Sequence, residues 1–215
     1  MEVVKIKHNT PEWLAMRRKG IGASDAGAVF GISPSRTNVE VWEEKVGKVT
    51  PDNLANDPLV QFGKKAEAHI VKLFALDHPE LKVKQNKNVV YWNGFMFASL
   101  DGELEAADGK KGILEIKTNQ IYSWAEVKEW DDRVPQHYYT QVLHQLVVTG
   151  WDFVIVKARL RRVFADGRPL EIICKEVRFN REECLDDMSI LVNKERKFWD
   201  CVERRVRPPL ILPTI

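Results

Sequence analysis

The sequence predicts an α/β protein, a central mixed β-sheet flanked by helices, on three observations. Residues 151–160 are apolar on both alternations, as in a strand covered on both faces. Asp108-Gly109 and Asp166-Gly167 are two-residue turn signals that lead into strand-like runs at 113–117 and 170–179. Residues 59–76, 136–149 and 180–202 carry apolar side chains at helical spacing. With 215 residues, 44% of them hydrophobic, the chain fits a single domain, 1–215. A helical part spans about 10–77, a sheet core about 82–179, and a C-terminal helix and tail 180–215.

In chain order, Thr10 is suited to cap and Pro11 to open a short helix that stops at Gly20. Small residues then place Ser24 at the start of a second short helix ending at Gly31. Asn38 caps a third, running through Val46 to a stop at Gly47, and Thr50 to Asp57 reads as a polar loop. In the helix 59–76 the inward stripe is Phe62, Ala66, Ile70 and Leu73, and Glu67 lies off it. Residues 83–92 read as one strand that turns at Asn93-Gly94 into a strand from Phe95 to Asp101. Asp108-Gly109 turns that strand back into 113–117, and Tyr122 to Trp130 forms a helix. Val134-Pro135 opens another, with Tyr138, Val142 and Leu146 as its apolar stripe and Gln141, His144 and Gln145 on other faces. After the strands 151–160 and 170–179, Asn180 and Glu183 start a long helix through Val202, with Leu185, Met188, Leu191, Trp199 and Val202 inward. The proline-broken tail Pro208 to Ile215 either folds back on its own domain or docks on a neighbouring subunit.

Composition excludes several classes. Net charge is only +2, from 33 basic and 31 acidic residues, so any polyanion must meet basic residues gathered on one face. No apolar run reaches the roughly 20 residues that span a bilayer. The first residues lack the apolar core of a secretion signal, so a cytoplasmic protein without a membrane partner is expected. The three cysteines, without a C-x-x-C pair, argue against a disulfide framework, a zinc ribbon and a four-cysteine iron–sulfur site. His137 and His144 are two helical turns apart, too far to share one ion.

The chemistry concentrates around Asp101 and, fourteen positions later, Glu115. Strand alternation puts Glu115 and Lys117 on one face and Leu114 and Ile116 on the other, so a carboxylate pair stands beside an ammonium at one end of a sheet. Paired carboxylates repel unless a cation relieves them, and hard oxygen donors suit Mg²⁺ or Mn²⁺. The plain alternative is a solvated face with a cross-strand ion pair. Ser24, with Arg17 or Arg18 nearby, suits an anion at a helix N-terminus; the plain alternative is a capping serine beside two solvated arginines.

Asp101 with Glu115-Ile116-Lys117 resembles the signature of the PD-(D/E)xK nuclease superfamily, with Leu100 where a proline often precedes the aspartate. Four stretches in order, 13–24, 63–69, 97–103 with 114–117, and 138–150, resemble the YqaJ-like and lambda-type phage exonucleases. The resemblance implies a PD-(D/E)xK nuclease-like core. It implies Mg²⁺, with Mn²⁺ as a substitute, held by Asp101, Glu115 and the Ile116 carbonyl, with Glu67 beside the metal and Lys117 positioning the attacking water. It implies that Arg17, Ser24, Ser99 and Gln141 receive a 5′ phosphate. The implied activity is 5′ to 3′ digestion of one strand from linear double-stranded DNA ends, leaving a 3′ single strand for a single-strand annealing protein. A homotrimeric ring threaded by DNA, encoded by a phage or prophage and acting in the bacterial host's cytoplasm, is implied as well. Two alternatives stay open: a structure-specific or restriction-type endonuclease of the same superfamily, and a non-catalytic DNA-end-binding module.

Overall fold

Glycine turns lay out the strands. Gly94 and Gly109 adopt φ of 62° and 85°, which L side chains rarely adopt, and each closes an antiparallel hairpin. A computed structural model describes residues 1–8, 10–50 and 57–212. In chain order the elements are β1 (Glu2–Lys5), α1 (Pro11–Arg17), β2 (Ile21–Gly22), a 3₁₀ turn (Ala23–Asp25), α2 (Ala26–Val29), α3 (Asn38–Lys45) and α4 (Pro58–Asp77). There follow β3 (Lys82–Lys84), β4 (Val89–Asn93), β5 (Met96–Ala98), β6 (Gly102–Glu105), β7 (Lys111–Ile121), α5 (Trp124–Lys128), α6 (Gln136–Thr149), β8 (Phe153–Arg162), β9 (Glu171–Asn180) and α7 (Leu185–Glu203).

The α/β class holds, with the strands divided between two sheets. One has the order β1-β4-β5-β2 and the other β3-β6-β7-β8-β9. The run 83–92 is therefore not one strand: β3 joins the larger sheet and β4 the smaller, broken at the turn around Lys87 and Asn88, where Asn88 takes a φ of 67°. Nor does the Phe95 strand reach Asp101. It ends at Ala98, and the partner of β7 is β6, so Asp101 sits in the crossing between the sheets.

In the larger sheet β7 and β8 run parallel, and β9 pairs antiparallel with β8. Leu114, Ile116, Phe153 and Ile155 face α4, whereas Ile113, Val154, Val156 and Leu160 face α6 and α7. Gly112 permits this packing, because a Cβ there would lie 2.2 Å from the fully buried Phe153 ring. Gly112→Ala is expected to cost about 1–3 kcal/mol by overpacking. A urea unfolding midpoint equal to the parent's would contradict the close approach.

Several expected faces shift. On α4 the buried residues are Ile70, Val71 and Phe74, while Leu73 is exposed. The inward stripe is rotated by roughly a quarter turn, to Gly63, Glu67, Ile70 and Phe74, because glycine at 63 allows the helix to approach Thr118. That rotation turns Glu67 toward the sheet. Thr37, not Asn38, caps α3, accepting from the Glu40 N–H while Glu40 bonds the Thr37 N–H. Asn38 instead clasps the tail, donating to the Pro209 carbonyl at 2.8 Å and accepting from the Ile211 N–H at 3.0 Å. The tail, as far as Leu212, thus folds back on its own domain. Leu185 is exposed at the start of α7, because a 3₁₀ turn, Arg181–Cys184, precedes the helix and offsets its face. The polar loop expected over 50–57 lies mostly outside the described residues. Among the described residues no helix is long and apolar enough to cross a membrane.

Candidate active site

The register of β6 on β7 ends at Gly102 opposite Leu114. The next ladder donor, the Ile116 N–H, is taken by the Asp101 carboxylate, with Oδ2 accepting at 2.8 Å. Asp101 is thereby fixed by the strand it flanks. An extended residue presents its N–H and C=O to the same neighbour, so the Ile116 carbonyl faces that side as well.

Glu115, on the opposite face of β7 from Ile116, is buried under α6. Its Oε1 accepts from Lys117 Nζ at 2.7 Å and from Gln141 Nε2 at 2.8 Å, and its Oε2 accepts from Gln145 Nε2 at 2.6 Å. Lys117 also donates to Gln141 Oε1 at 2.7 Å and lies 4.5 Å from the Tyr138 ring centroid. Gln141 and Gln145, off the expected apolar stripe and one turn apart, both reach Glu115 on the sheet. Gln145 is a residue that sequence reasoning missed as a functional candidate; the four-residue spacing from Gln141 is the signal that reveals it.

Glu67 accepts from Gln85 at 2.9 Å and lines one cleft with Gly63, Asp101, Glu115, Ile116, Lys117 and Thr118. Burial, then the Glu115 and Glu67 charges, push the Asp101 carboxyl well above its usual range, against the pull of the Ile116 N–H and Lys117. Burial also raises Glu67; Lys87 and the Gln85 bond oppose this, and Glu115 adds to it. Burial works to lower Lys117, yet the Glu115 charge and hydrogen bond outweigh it and its pKa is raised. Three carboxylates gathered about one cleft, with a backbone carbonyl at hand, form a hard oxygen donor set with a charge excess that suits a divalent cation. Among the described residues no three acidic, histidine or cysteine side chains are already closed on one point.

A second cavity, of about 480 Å³, is lined by Arg17, Ser24, Ser99 and Gln141 together with Glu67 and Asp101. All four residues of the expected phosphate pocket thus share one cavity, and Glu67 and Asp101 wall both hollows. Lys7, His8, Lys64 and Lys87 also line it. Arg17 is held by Asp25 at 3.0 Å, and Asp25 is fully buried with Lys45 at 2.7 Å. Arg36 and Glu44 complete the cluster, in which three cations face two carboxylates. Asp25 was another residue missed: it adjoins Ser24 in sequence but points inward, and nothing local in the sequence marks it as the anchor of Arg17. The helix that was to present free N–H groups at Ser24 is a 3₁₀ turn followed by the four-residue α2, and the Gly22 N–H is already taken by Asp25 Oδ2 at 3.1 Å. Ser24 itself is exposed and lines the cavity.

Beneath the cavity, His144 is fully buried, with Nε2 3.1 Å from the Phe97 carbonyl and Nδ1 2.9 Å from Glu195 Oε1. A carbonyl only accepts, so Nε2 is the donor in the Phe97 contact. His144 is a core polar residue that ties α6 to β5 and α7.

Residues 12–152 match the YqaJ-like viral recombinase domain, a span that holds Arg17, Asp101, Glu115, Lys117 and Gln141. The uncharacterized protein YqaJ of Bacillus subtilis (strain 168) is 32% identical over 192 residues, which cover 88% of this chain and 55% of that protein. The chain thus spans about half the length of this curated relative. Among solved structures, an alkaline exonuclease, LHK-Exo, from Laribacter hongkongensis superposes with a TM-score of 0.66 at 19% identity, over 92% of this chain and 94% of that one. A phage related exonuclease from Haemophilus somnus 129PT gives a TM-score of 0.52 at 15% identity, over 89% and 98%. At these identities the likeness is one of fold. The sequence match, which covers the cleft and most of the residues lining the cavity beside it, establishes that the chain belongs to the YqaJ-like viral recombinase domain family.

Proposed function

We propose that the protein is a metal-dependent exonuclease that digests one strand of linear double-stranded DNA from its 5′ end. The observation that carries this reading is the shared wall: Asp101 and Glu67 border both the acidic cleft and the cavity lined by Arg17, Ser24, Ser99 and Gln141. A strand whose terminal phosphate entered that cavity would lay its next phosphodiester toward Asp101 and Glu115. Mg²⁺, or Mn²⁺ in its place, would be held by Asp101, Glu115 and the Ile116 carbonyl with Glu67 beside them. Such an ion supplies charge neutralisation at the phosphate and a water of lowered pKa.

The chain's own groups do the rest. Gln141 and Gln145 orient Glu115, the Ile116 N–H orients Asp101, and Lys117 holds a positive charge where negative charge builds on the phosphate. Lys7, Arg17, Lys64 and Lys87 gather basic charge around one cavity, which is how a chain of net charge +2 can engage a polyanion. Within the same reading the working form is a homotrimer around duplex DNA, and the 3′ single strand passes to an annealing protein.

The test is digestion in Mg²⁺ of linear duplex bearing 5′-phosphoryl or 5′-hydroxyl ends, with covalently closed circles as control. Linear DNA is expected to be degraded and circles spared; cutting of circles would favour an endonuclease instead. The phosphoryl end is expected to be preferred by about tenfold, the worth of one charge-assisted contact. Arg17→Ala is expected to shrink that ratio, and a preference it leaves untouched would remove Arg17 from the pocket.

A further inference from the structure

Among the described residues β6 pairs with β7 only as far as Leu114, so from Lys117 to Ile121 the β6 side of β7, beside the acidic cleft, has no strand partner among them. The cleft ends at Gly63 and Thr118. Immediately past them, on the same sheet face, stand Arg159 and Arg161, in register with Thr118 and Gln120. Both arginines pack on Phe62, the neighbour of Gly63, at 5.7 and 4.4 Å from its ring centroid. Gln120 donates to the Tyr122 hydroxyl at 2.5 Å and so holds a ring that is 65% exposed.

Among the described residues the charge of these arginines is not spent. Their neighbours on β8, Lys157 and Arg162, pair with Glu176 and Glu171, whereas among the described residues neither Arg159 nor Arg161 forms an ion pair. A guanidinium with one face on an aromatic ring keeps its other face for a second planar group and its N–H fork for phosphate. An exposed tyrosine ring offers the same kind of surface. Bases in a duplex have their faces hidden in the stack, so such planes reach only unpaired bases.

We propose that Phe62, Arg159, Arg161 and Tyr122 form a binding platform for single-stranded DNA, continuous with the acidic cleft. That the bound strand is the one left unpaired by digestion rests on the exonuclease reading; the binding itself does not. Bases stack on Tyr122 and on the Arg161 plane while Arg159 meets the backbone.

Fluorescence anisotropy of labelled oligo(dT) with the whole protein, in EDTA so that nothing is cut, tests this. Tyr122→Ala and Arg161→Ala are each expected to weaken oligo(dT) binding by about tenfold and to leave blunt duplex binding unchanged. Tyr122→Phe keeps the ring and loses only the Gln120 bond, and is expected to retain most of the parent's oligo(dT) binding, which separates lost stacking from a misfolded variant. Arg161→Lys keeps the charge without the plane and is expected to fall between. Parent-like oligo(dT) binding by both alanine variants would overturn the proposal, as would an equal loss for duplex, which would reduce the platform to a general basic surface. The exonuclease reading fails separately: a parent that leaves linear duplex intact in Mg²⁺ would sink it, and the oligo(dT) result would still stand or fall by itself.

Discussion

Asp101→Asn is expected to slow Mg²⁺-dependent digestion of linear duplex by about 10²-fold or more, the scale of losing a preorganised charge at a reacting phosphate. The same substitution is expected to raise the thermal unfolding midpoint of the metal-free protein. Asp101 is pushed well above the usual carboxylate range by burial and by the Glu115 and Glu67 charges, so its ionised form is unfavourable in the metal-free protein. The amide oxygen can still accept from the Ile116 N–H, whose partner is now Asp101 Oδ2 at 2.8 Å. Activity lost with stability gained is the signature of a residue kept for chemistry. Digestion near the parent rate would remove Asp101 from the reaction, and a lower midpoint would recast it as a structural cap on β7.

Asp25→Ala is expected to have the largest effect on stability. Lys45 is buried with its ammonium 2.7 Å from Asp25, and Arg17 and Arg36 converge on the same carboxylate. Removing Asp25 leaves a buried ammonium unpaired, a loss of about 3–5 kcal/mol. The double variant Asp25→Ala/Lys45→Met removes both charges and is expected to lose less than Asp25→Ala alone; an equal loss in urea melts would mean that packing, not the stranded charge, sets the cost. The pH dependence follows from the sign. Although burial opposes it, Lys45, Arg17 and Arg36 hold the Asp25 carboxyl far below the usual range. Its contribution is therefore fully present above the ordinary aspartate value of about 4 and is lost as pH falls below it toward the folded-state value. The parent is expected to lose stability over that acid range more steeply than Asp25→Ala.

The local signals in the chain read well where a single side chain decides the geometry. Thr10 before Pro11, glycine at 94, 109 and 167, and the doubly apolar run at 151–160 each settle their own element without help from elsewhere. Strand alternation likewise put Glu115 and Lys117 together, and their contact at 2.7 Å follows from it. Where the outcome depended on a distant partner, the sequence was mute or misleading. Phe62 and Leu73 looked like core positions on α4, but Gly63 lets the helix turn its other face to Thr118 and bring Glu67 in. Gln145 and His144 looked like the polar side of α6, yet that helix is buried on nearly every side, with Glu115 and Glu195 waiting as partners. The order of the stretches around Arg17, Asp101 and Gln141 was legible by family likeness, whereas the buried Asp25 that anchors Arg17 was visible only in three dimensions.

The parallel pairing of β7 with β8 bears on how the molecule comes into being. Partners such as Glu115 and Val156 are forty-one positions apart (156 − 115), with α5 and α6 between them. Closing so long a crossover is slow compared with the hairpins that build β6 on β7, because chain entropy is lost before the contacts reward it. The local hairpin is therefore expected to bring Asp101 to Ile116 before Glu115 meets Gln141 and Gln145, whose contact requires the docking of α6. A chain emerging from the ribosome therefore passes residue 121 with both carboxylates synthesised, but has no shaped site until β8 has followed and closed over it.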